Sequence, residues 1–165
     1  MVASKSECGM PARTRGRAAA APAQTRGSSD WRVAKSLLKL RDQVNAKWPN
    51  RNKEDDGTIG DTSHQNRSSD HNPWVDEGVV TALDITHDPG HGCDSYVLAD
   101  TIRKSKDSRV KYIISNRRIA NFAAIGGASA WAWRPYGGTN AHDRHCHISV
   151  KATKAQYDDQ SAWTI

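Results

Sequence analysis

The sequence predicts an α+β fold, in which a small antiparallel sheet has helices packed on one face and polar side chains on the other. Three observations lead to this prediction. Short β-branched runs that alternate in polarity occur at residues 78–86, 110–115 and 140–150. Two other segments, residues 30–48 and 94–104, carry apolar residues at helical spacing. The length of 165 residues suits one domain.

The predicted strand at residues 140–150 carries two histidines on one face. Because successive side chains of a strand point to opposite faces, His145, His147 and Ser149 share a face. The two imidazoles should lie about 7 Å apart along the strand. The alternate positions are apolar and should pack on the core: Cys146, Ile148 and Val150. This strand suits a metal site, although solvent-facing histidines on an amphipathic strand explain the same pattern.

The predicted strand at residues 78–86 places a carboxylate in mid-strand. Val79, Leu83 and Ile85 form one apolar face, and Asp84 lies on the other. Aspartate is disfavoured in strands. The Asp84 carboxylate therefore needs a partner.

The first predicted helix begins where the composition changes, near residue 30. Ser29 or Asp30 is its predicted cap, and Pro49 ends it. Its apolar positions follow helical spacing: Val33, Leu37, Leu40 and Val44. These positions predict one buried face.

The second predicted helix starts at a cap provided by Asp94 or Ser95 and reaches about Lys104. Four of its residues are predicted to face inward: Val97, Leu98, Thr101 and Ile102. Residues 110–115 follow as a strand, and the last residues are expected to fold back over the domain.

Residues 1–29 are predicted to be a disordered basic tail, and residues 30–165 the folded domain. The tail is rich in Ala, Arg, Ser, Gly and Pro and has no periodicity. Five basic residues and one acidic residue give it +4 of the net charge of +6. A solvated arm is the favoured interpretation, and contact with nucleic acid or an anionic wall polymer is the alternative. We expect no nucleic-acid partner for the domain itself.

Cysteine count and hydropathy exclude several classes of protein. Three cysteines, Cys8, Cys93 and Cys146, have no zinc-binding spacing, and an odd count is not a disulfide framework. The sequence contains no run of about 18 apolar residues, so it predicts no transmembrane helix. The apolar patch at residues 18–23 is too short for a signal-peptide core, so the sequence indicates no export route.

We expect a monomer.

Three dispersed residues are candidate ligands of a catalytic zinc ion. Such a site needs three protein ligands and one open position. His71 lies in the polar loop at residues 50–77, Asp84 on the following strand and His147 on a distant strand. A general base is also needed near the reacting water, and His145 shares a strand face with His147.

Two separated motifs resemble a family of zinc peptidases. Ser69-x-His71, with Gly78 and Ala82-Leu-Asp84, resembles the Ser-x-His…Gly-x-Ala-x-Asp signature of D-Ala-D-Ala carboxypeptidases and dipeptidases. His142 and His145-x-His147 resemble the C-terminal motif of penicillin-insensitive murein endopeptidase, which belongs to the same superfamily. Residues 31–163 are also loosely similar to cell-wall-hydrolase-like proteins of actinobacteria and their phages. The resemblance implies His71, Asp84 and His147 as zinc ligands, His145 as base and His142 as an accessory residue.

The sequence departs from the family in two places. The His71-to-Asp84 separation is 13 residues, where the family usually has 7, so residues 72–77 must bulge out. The carboxypeptidase branch has a Glu base just before its last ligand, which is missing here, and Asp143 is the alternative base to His145. His64, in a Ser-His-Gln sequence, is the second choice to His71 as first ligand.

The resemblance implies a zinc-dependent peptidase that hydrolyses peptide bonds in peptidoglycan, acts on the cell wall and is endolysin-like. Its partners would be peptidoglycan stem peptides. Five residues are the candidate substrate contacts: Arg67, Ser69, Trp133, Tyr136 and His142. Arg67 suits a substrate carboxylate, although a salt bridge that braces the loop explains it equally well.

Two other function classes remain open at the level of sequence. A zinc-bearing wall-binding module without catalysis would have the same ligands. A metal-dependent nuclease of the HNH kind is suggested by Asp70-His71, Asn140 and His145, but it needs a β-hairpin and helix around the metal.

Overall fold

The computed structural model describes residues 31–60, 67–76 and 78–165. The proposed tail at residues 1–29, the predicted cap at Asp30 and the alternative ligand His64 lie outside these residues. The described structure contains the strands β1 (Arg32–Val33), β2 (Val79–Val80), β3 (Ala82–Thr86), β4 (Val110–Ser115), β5 (Arg118–Asn121), β6 (Arg134–Pro135) and β7 (His145–Val150). Its helices are α1 (Lys35–Lys47), α2 (Ser95–Ser105) and α3 (Lys154–Tyr157), with a 3₁₀ turn at Pro89–His91.

A five-stranded antiparallel sheet forms the centre of the fold, in the order β3-β7-β4-β5-β6. The histidine-bearing strand β7 is paired on both sides, with β3 and with β4. The short strands β1 and β2 form a separate parallel pair. The predicted α+β class with an antiparallel sheet is therefore confirmed.

Both longer helices pack on one face of this sheet. Leu37 and Leu40 of α1, and Leu98 and Ile102 of α2, belong to the same buried cluster as the inward residues of the strands. The three alternate residues of β7 are fully buried in that cluster: Cys146, Ile148 and Val150. The opposite face of β7 thus remains for its histidines, as alternation predicts.

The first helix begins later than its sequence pattern suggests. Arg32 and Val33 are extended and pair with Val79 and Val80, so α1 starts at Lys35. Its first residue follows Ala34, which offers no side-chain cap. The prediction that Ser29 or Asp30 caps this helix is wrong, because a long-range strand pairing occupies the residues that would form its first turn.

The second helix begins as predicted, with the Asp94 carboxylate accepting hydrogen bonds from the backbone N–H groups of Tyr96 and Val97. Its inward face is formed by Ser95, Leu98, Ala99 and Ile102. Val97 is 62% exposed, so the prediction that it faces inward is wrong.

The last residues fold back over α1. The buried Trp163 ring donates from Nε1 to the Ser36 carbonyl at 2.8 Å, and the Arg109 guanidinium lies 3.9 Å above the ring. Gln43 bonds the backbone of Trp163 with both ends of its amide. Among the described residues, no helix is long and apolar enough to cross a membrane.

Candidate metal centre

Three residues from separate parts of the chain converge on the polar face of the sheet. Asp84 on β3 lies directly opposite His147 on β7 in the antiparallel register, and His71 arrives from the loop at residues 67–76. His71 Nε2 lies 3.2 Å from Asp84 Oδ2 and 3.1 Å from His147 Nδ1. His147 Nδ1 lies 3.0 Å from Asp84 Oδ1. Within the described residues, this is the group of histidine, cysteine and acidic side chains that could hold a metal ion.

The spacing of these atoms fits one metal ion of ordinary size. Ligand atoms about 2.0 Å from a tetrahedral zinc are about 3.3 Å apart. The separations of 3.0–3.2 Å, in which each histidine is close to a different oxygen of Asp84, are near that value. Two imidazole nitrogens and one carboxylate also match the donor types of metal sites that leave a coordination position open.

Backbone contacts hold His71 in the orientation that a ligand requires. Its Nδ1 bonds the Thr58 carbonyl at 2.7 Å, so Nδ1 carries the proton and Nε2 points toward Asp84. The backbone N–H of His71 donates to Ser69 Oγ at 3.3 Å. An outer hydrogen bond of this kind fixes the tautomer and ring orientation of metal-binding histidines. Ser69 therefore acts on the site through the loop backbone.

The electrostatics of the group favour the ionised carboxylate. Burial by itself raises the pKa of Asp84, but hydrogen bonds from His147 and His71 outweigh it and hold that pKa well below its ordinary value. Burial lowers the pKa of His147 despite the nearby carboxylate. Burial also opposes a charge on His71, but its bond to Asp84 raises the pKa of His71. Near pH 7 Asp84 is ionised and His147 neutral, as metal ligands must be.

His145 lies beside the three candidate ligands without joining them. Its Nε2 is 3.9 Å from Asp84 Oδ2, beyond hydrogen-bond distance. Both of its ring nitrogens are buried and have no hydrogen-bond partner in the described structure. A buried, unpaired imidazole is costly, and it is available to a ligand or to a transferred proton.

His142 joins the same cluster through an unusual backbone conformation. Its φ of 51° is left-handed, and its Nδ1 bonds the Asn140 carbonyl at 2.8 Å. Its ring centroid lies 5.0 Å from that of His145. Burial, together with the neighbouring imidazoles of His147 and His145, lowers the pKa of His142 to about 4. His142 is therefore neutral at pH 7.

The candidate ligands lie in a cleft of about 610 Å³. Four of the five candidate substrate contacts line this cleft: Arg67, Ser69, Tyr136 and His142. The predicted base His145 lines it as well. The structure thus collects in one cleft residues that are up to 80 positions apart in the chain.

Two candidate site residues lie elsewhere. Trp133 donates from Nε1 to Asp100 on α2 at 3.0 Å and packs against the core, so it does not line the cleft. The Asp143 side chain is half exposed, and its carboxylate lies 3.6 Å from the Arg117 guanidinium. Residue 143 precedes the start of β7, so its side chain does not follow the alternation of His145 and His147. The Asp143 carboxylate therefore lies at the surface, outside the residues that line the cleft.

Sequence reasoning missed Tyr112 and the Thr58 carbonyl as parts of the site. Tyr112 lines the cleft and lies opposite Ser149 in the register of β4 and β7. Its place on the polar face follows from strand alternation once that pairing is known. No signal in the sequence indicates the Thr58 carbonyl, because any residue supplies one.

No protein-family model matches the chain, and neither a curated protein nor a solved structure matches it. The chemistry of the site therefore rests on its own geometry.

Proposed function

We propose that the protein is a zinc-dependent peptidase that hydrolyses peptide bonds in peptidoglycan. The observation that carries the proposal is the convergence of His71, Asp84 and His147, whose ligand atoms lie within 4.8 Å of one another, in a cleft that also holds the unpaired His145. Metal ligands with an unpaired imidazole beside them are the parts that metal-assisted hydrolysis requires.

The donor set supports zinc as the metal. His71 and His147 offer imidazole nitrogens and Asp84 a carboxylate oxygen, and all three are ligand types of catalytic zinc sites. Bound zinc would supply Lewis acidity, which lowers the pKa of a water molecule to about 7 and polarises a carbonyl group. Coordination would also stabilise the close approach of the two imidazoles beside one carboxylate.

His145 has the role of general base in this proposal. Its Nε2 is buried in the cleft and has no hydrogen-bond partner, so it can accept a proton from the attacking water. The same nitrogen then donates that proton to the leaving amine.

The substrate class follows from the resemblance of the two motifs to peptidoglycan peptidases and from the rim of the cleft. Arg67 on that rim supplies a guanidinium suited to a peptide carboxylate. The candidate ligands come from a loop and two strands of a sheet, whereas the HNH nuclease needs a β-hairpin and a helix. A peptidase is therefore favoured over a nuclease.

Digestion of purified peptidoglycan by the full chain, with mass spectrometry of the fragments, tests the proposal. The zinc-loaded parent should release peptides cut at one type of bond. His145→Ala should keep its zinc and slow release by about 10²–10⁴-fold, the usual contribution of general acid–base catalysis. His147→Ala should lose zinc and activity together. His91→Ala is the matched control, because His91 is an exposed histidine paired with Asp88 outside the cleft.

Three results would contradict the proposal. If the zinc-loaded parent releases no fragment from any wall type but still binds wall fragments, the protein is a binding module. Cleavage of DNA by the zinc-loaded parent, without peptide release, would identify a nuclease. Loss of activity in Asp143→Asn but not in His145→Ala would reject His145 as the base.

A further inference from the structure

A polar cluster adjoins the candidate metal centre and consists of Asp70, Lys111 and Ser149, with Tyr112 beside them. Both oxygens of Asp70 lie 2.8 Å from Lys111 Nζ, and Ser149 Oγ donates to Asp70 Oδ2 at 2.5 Å. The Tyr112 hydroxyl lies beside Asp70 and Ser149, and burial together with the Asp70 charge raises the pKa of that hydroxyl. Because Asp70 immediately precedes His71, the cluster ties the loop that carries the first candidate ligand to strands β4 and β7.

Tyr112 also contacts the third candidate ligand directly. Its ring is stacked on the His147 imidazole, with centroids 5.4 Å apart and planes 10° from parallel. The register of β4 and β7 sets Tyr112 opposite Ser149, two residues from His147, so both rings lie on the same face of the sheet. Tyr112 thus contacts the ring of His147, the third candidate ligand. Its hydroxyl also lies beside Asp70, which immediately precedes His71.

The two candidate histidine ligands differ in what fixes their outer ring nitrogen. His71 is held by a hydrogen bond from Nδ1 to the Thr58 carbonyl. His147 turns Nδ1 toward Asp84, and its buried Nε2 has no hydrogen-bond partner among the described residues. A metal-binding histidine normally has such a partner, which sets the orientation of its ring. At His147 the described structure shows no such hydrogen bond, and a ring is stacked on the face of the imidazole instead.

We propose that Tyr112 is a positioning residue for the metal centre. Its ring holds the His147 imidazole with Nδ1 toward Asp84, and its hydroxyl, through Asp70, holds the loop that presents His71. The inference rests on the metal binding in the proposed function, and it does not depend on hydrolysis.

The test measures zinc affinity of the full-length parent, Tyr112→Phe and Tyr112→Leu by competition with a chelating indicator. Loss of an outer-sphere partner typically weakens metal binding by about 10–100-fold. Tyr112→Phe, which keeps the ring, should lose about 10-fold, and Tyr112→Leu should approach 100-fold. The visible absorption spectrum of the Co²⁺-loaded proteins is the second readout, and it should change in Tyr112→Leu because the ligand geometry relaxes.

Tyr157→Phe is the matched control, because Tyr157 also bonds an aspartate, Asp76, through its hydroxyl and does not line the cleft. It should bind zinc like the parent and keep the parent's Co²⁺ spectrum. The inference is overturned if Tyr112→Leu binds zinc within about three-fold of the parent, or if Tyr157→Phe weakens binding equally. If the parent binds zinc and cuts peptidoglycan while the Tyr112 variants are unchanged, only this inference fails. If the parent binds no zinc, both this inference and the proposed function fail.

Discussion

Asp84 and His147 are cross-strand partners, and the register of β3 and β7 brings the Asp84 carboxylate to 3.0 Å from His147 Nδ1. This pairing explains how an aspartate is accommodated in the middle of a strand. One nitrogen of each of two imidazoles lies within 3.2 Å of its carboxylate, and its side chain is 17% exposed. A shift of either strand by one residue would turn one of the two side chains to the opposite face of the sheet.

Asp84→Asn should remove zinc from the protein. An amide lacks the negative charge that a divalent ion requires here, and we expect affinity to fall by more than about 100-fold, beyond the usual loss for an outer-sphere partner. Elemental analysis of the purified variant measures the zinc content. Asp88→Asn is the control, because Asp88 pairs with His91 outside the cleft. One zinc per chain in Asp84→Asn would show that Asp84 is not a ligand.

Local periodicity predicted much of the sheet and of the site. Alternation with a period of two places Cys146 and Ile148 in the core and His145 and His147 in the cleft, as observed. The candidate ligands could be proposed because their residue types are chemically specific. Their convergence in space could not be derived from spacing, since it depends on which strands pair.

The alternation of side chains predicts the wrong faces for residues 142 and 143, which precede the start of β7. If β7 extended to residue 142, His142 would point to the core and Asp143 to the cleft. Instead β7 begins at His145, and the left-handed φ of 51° at His142 turns that ring into the cleft. A histidine in this conformation is uncommon, so the sequence did not indicate it. The late start of α1 has a similar cause, because the pairing of β1 with β2 is a long-range contact.

Removal of residues 1–29 should leave the domain intact. Residues 1–29 have no apolar periodicity and carry +4 of the net charge of +6, which is typical of a segment that adds nothing to a core. We expect the melting temperature to change by less than about 2 °C and the zinc content to stay the same. Thermal unfolding and elemental analysis of the shortened chain measure both. A large loss of either would show that the tail is part of the fold.

Trp163→Ala should destabilise the domain by about 3–5 kcal/mol, the usual cost of deleting a buried aromatic ring. Trp163 is 4% exposed and supports the Arg109 guanidinium as well as the end of the chain. Urea unfolding at pH 7 measures the change in free energy of unfolding. Trp74→Ala is the control, because Trp74 is 59% exposed and should cost about 0.5 kcal/mol or less. Equal effects of the two substitutions would reject the role of the C-terminal segment.

The ion pair between Arg51 and Asp56 should make the domain sensitive to acid. The Arg51 side chain is fully buried, and it donates to the two Asp56 oxygens at 2.8 and 2.5 Å. Thr86 on β3 donates to the same carboxylate through its backbone N–H and its hydroxyl. Burial by itself raises the pKa of Asp56, but these hydrogen bonds and the Arg51 charge outweigh it and lower that pKa below 3.8.

Because the pKa of Asp56 is lower in the folded chain than in the unfolded chain, its contribution is fully present above the unfolded value of about 3.9. That contribution is lost as the pH falls through the folded pKa. Asp56→Asn should destabilise the domain at pH 7 by about 3 kcal/mol, because it leaves the buried guanidinium without its charged partner. As the pH falls below about 3.9 and through the folded pKa, the variant and the parent should become more alike, because the carboxylate is protonated first in the unfolded parent and then in the folded parent. Urea unfolding of both proteins between pH 3 and pH 7 measures this convergence, and a difference in unfolding free energy that stays constant with pH would show that the charge of Asp56 does not stabilise the fold.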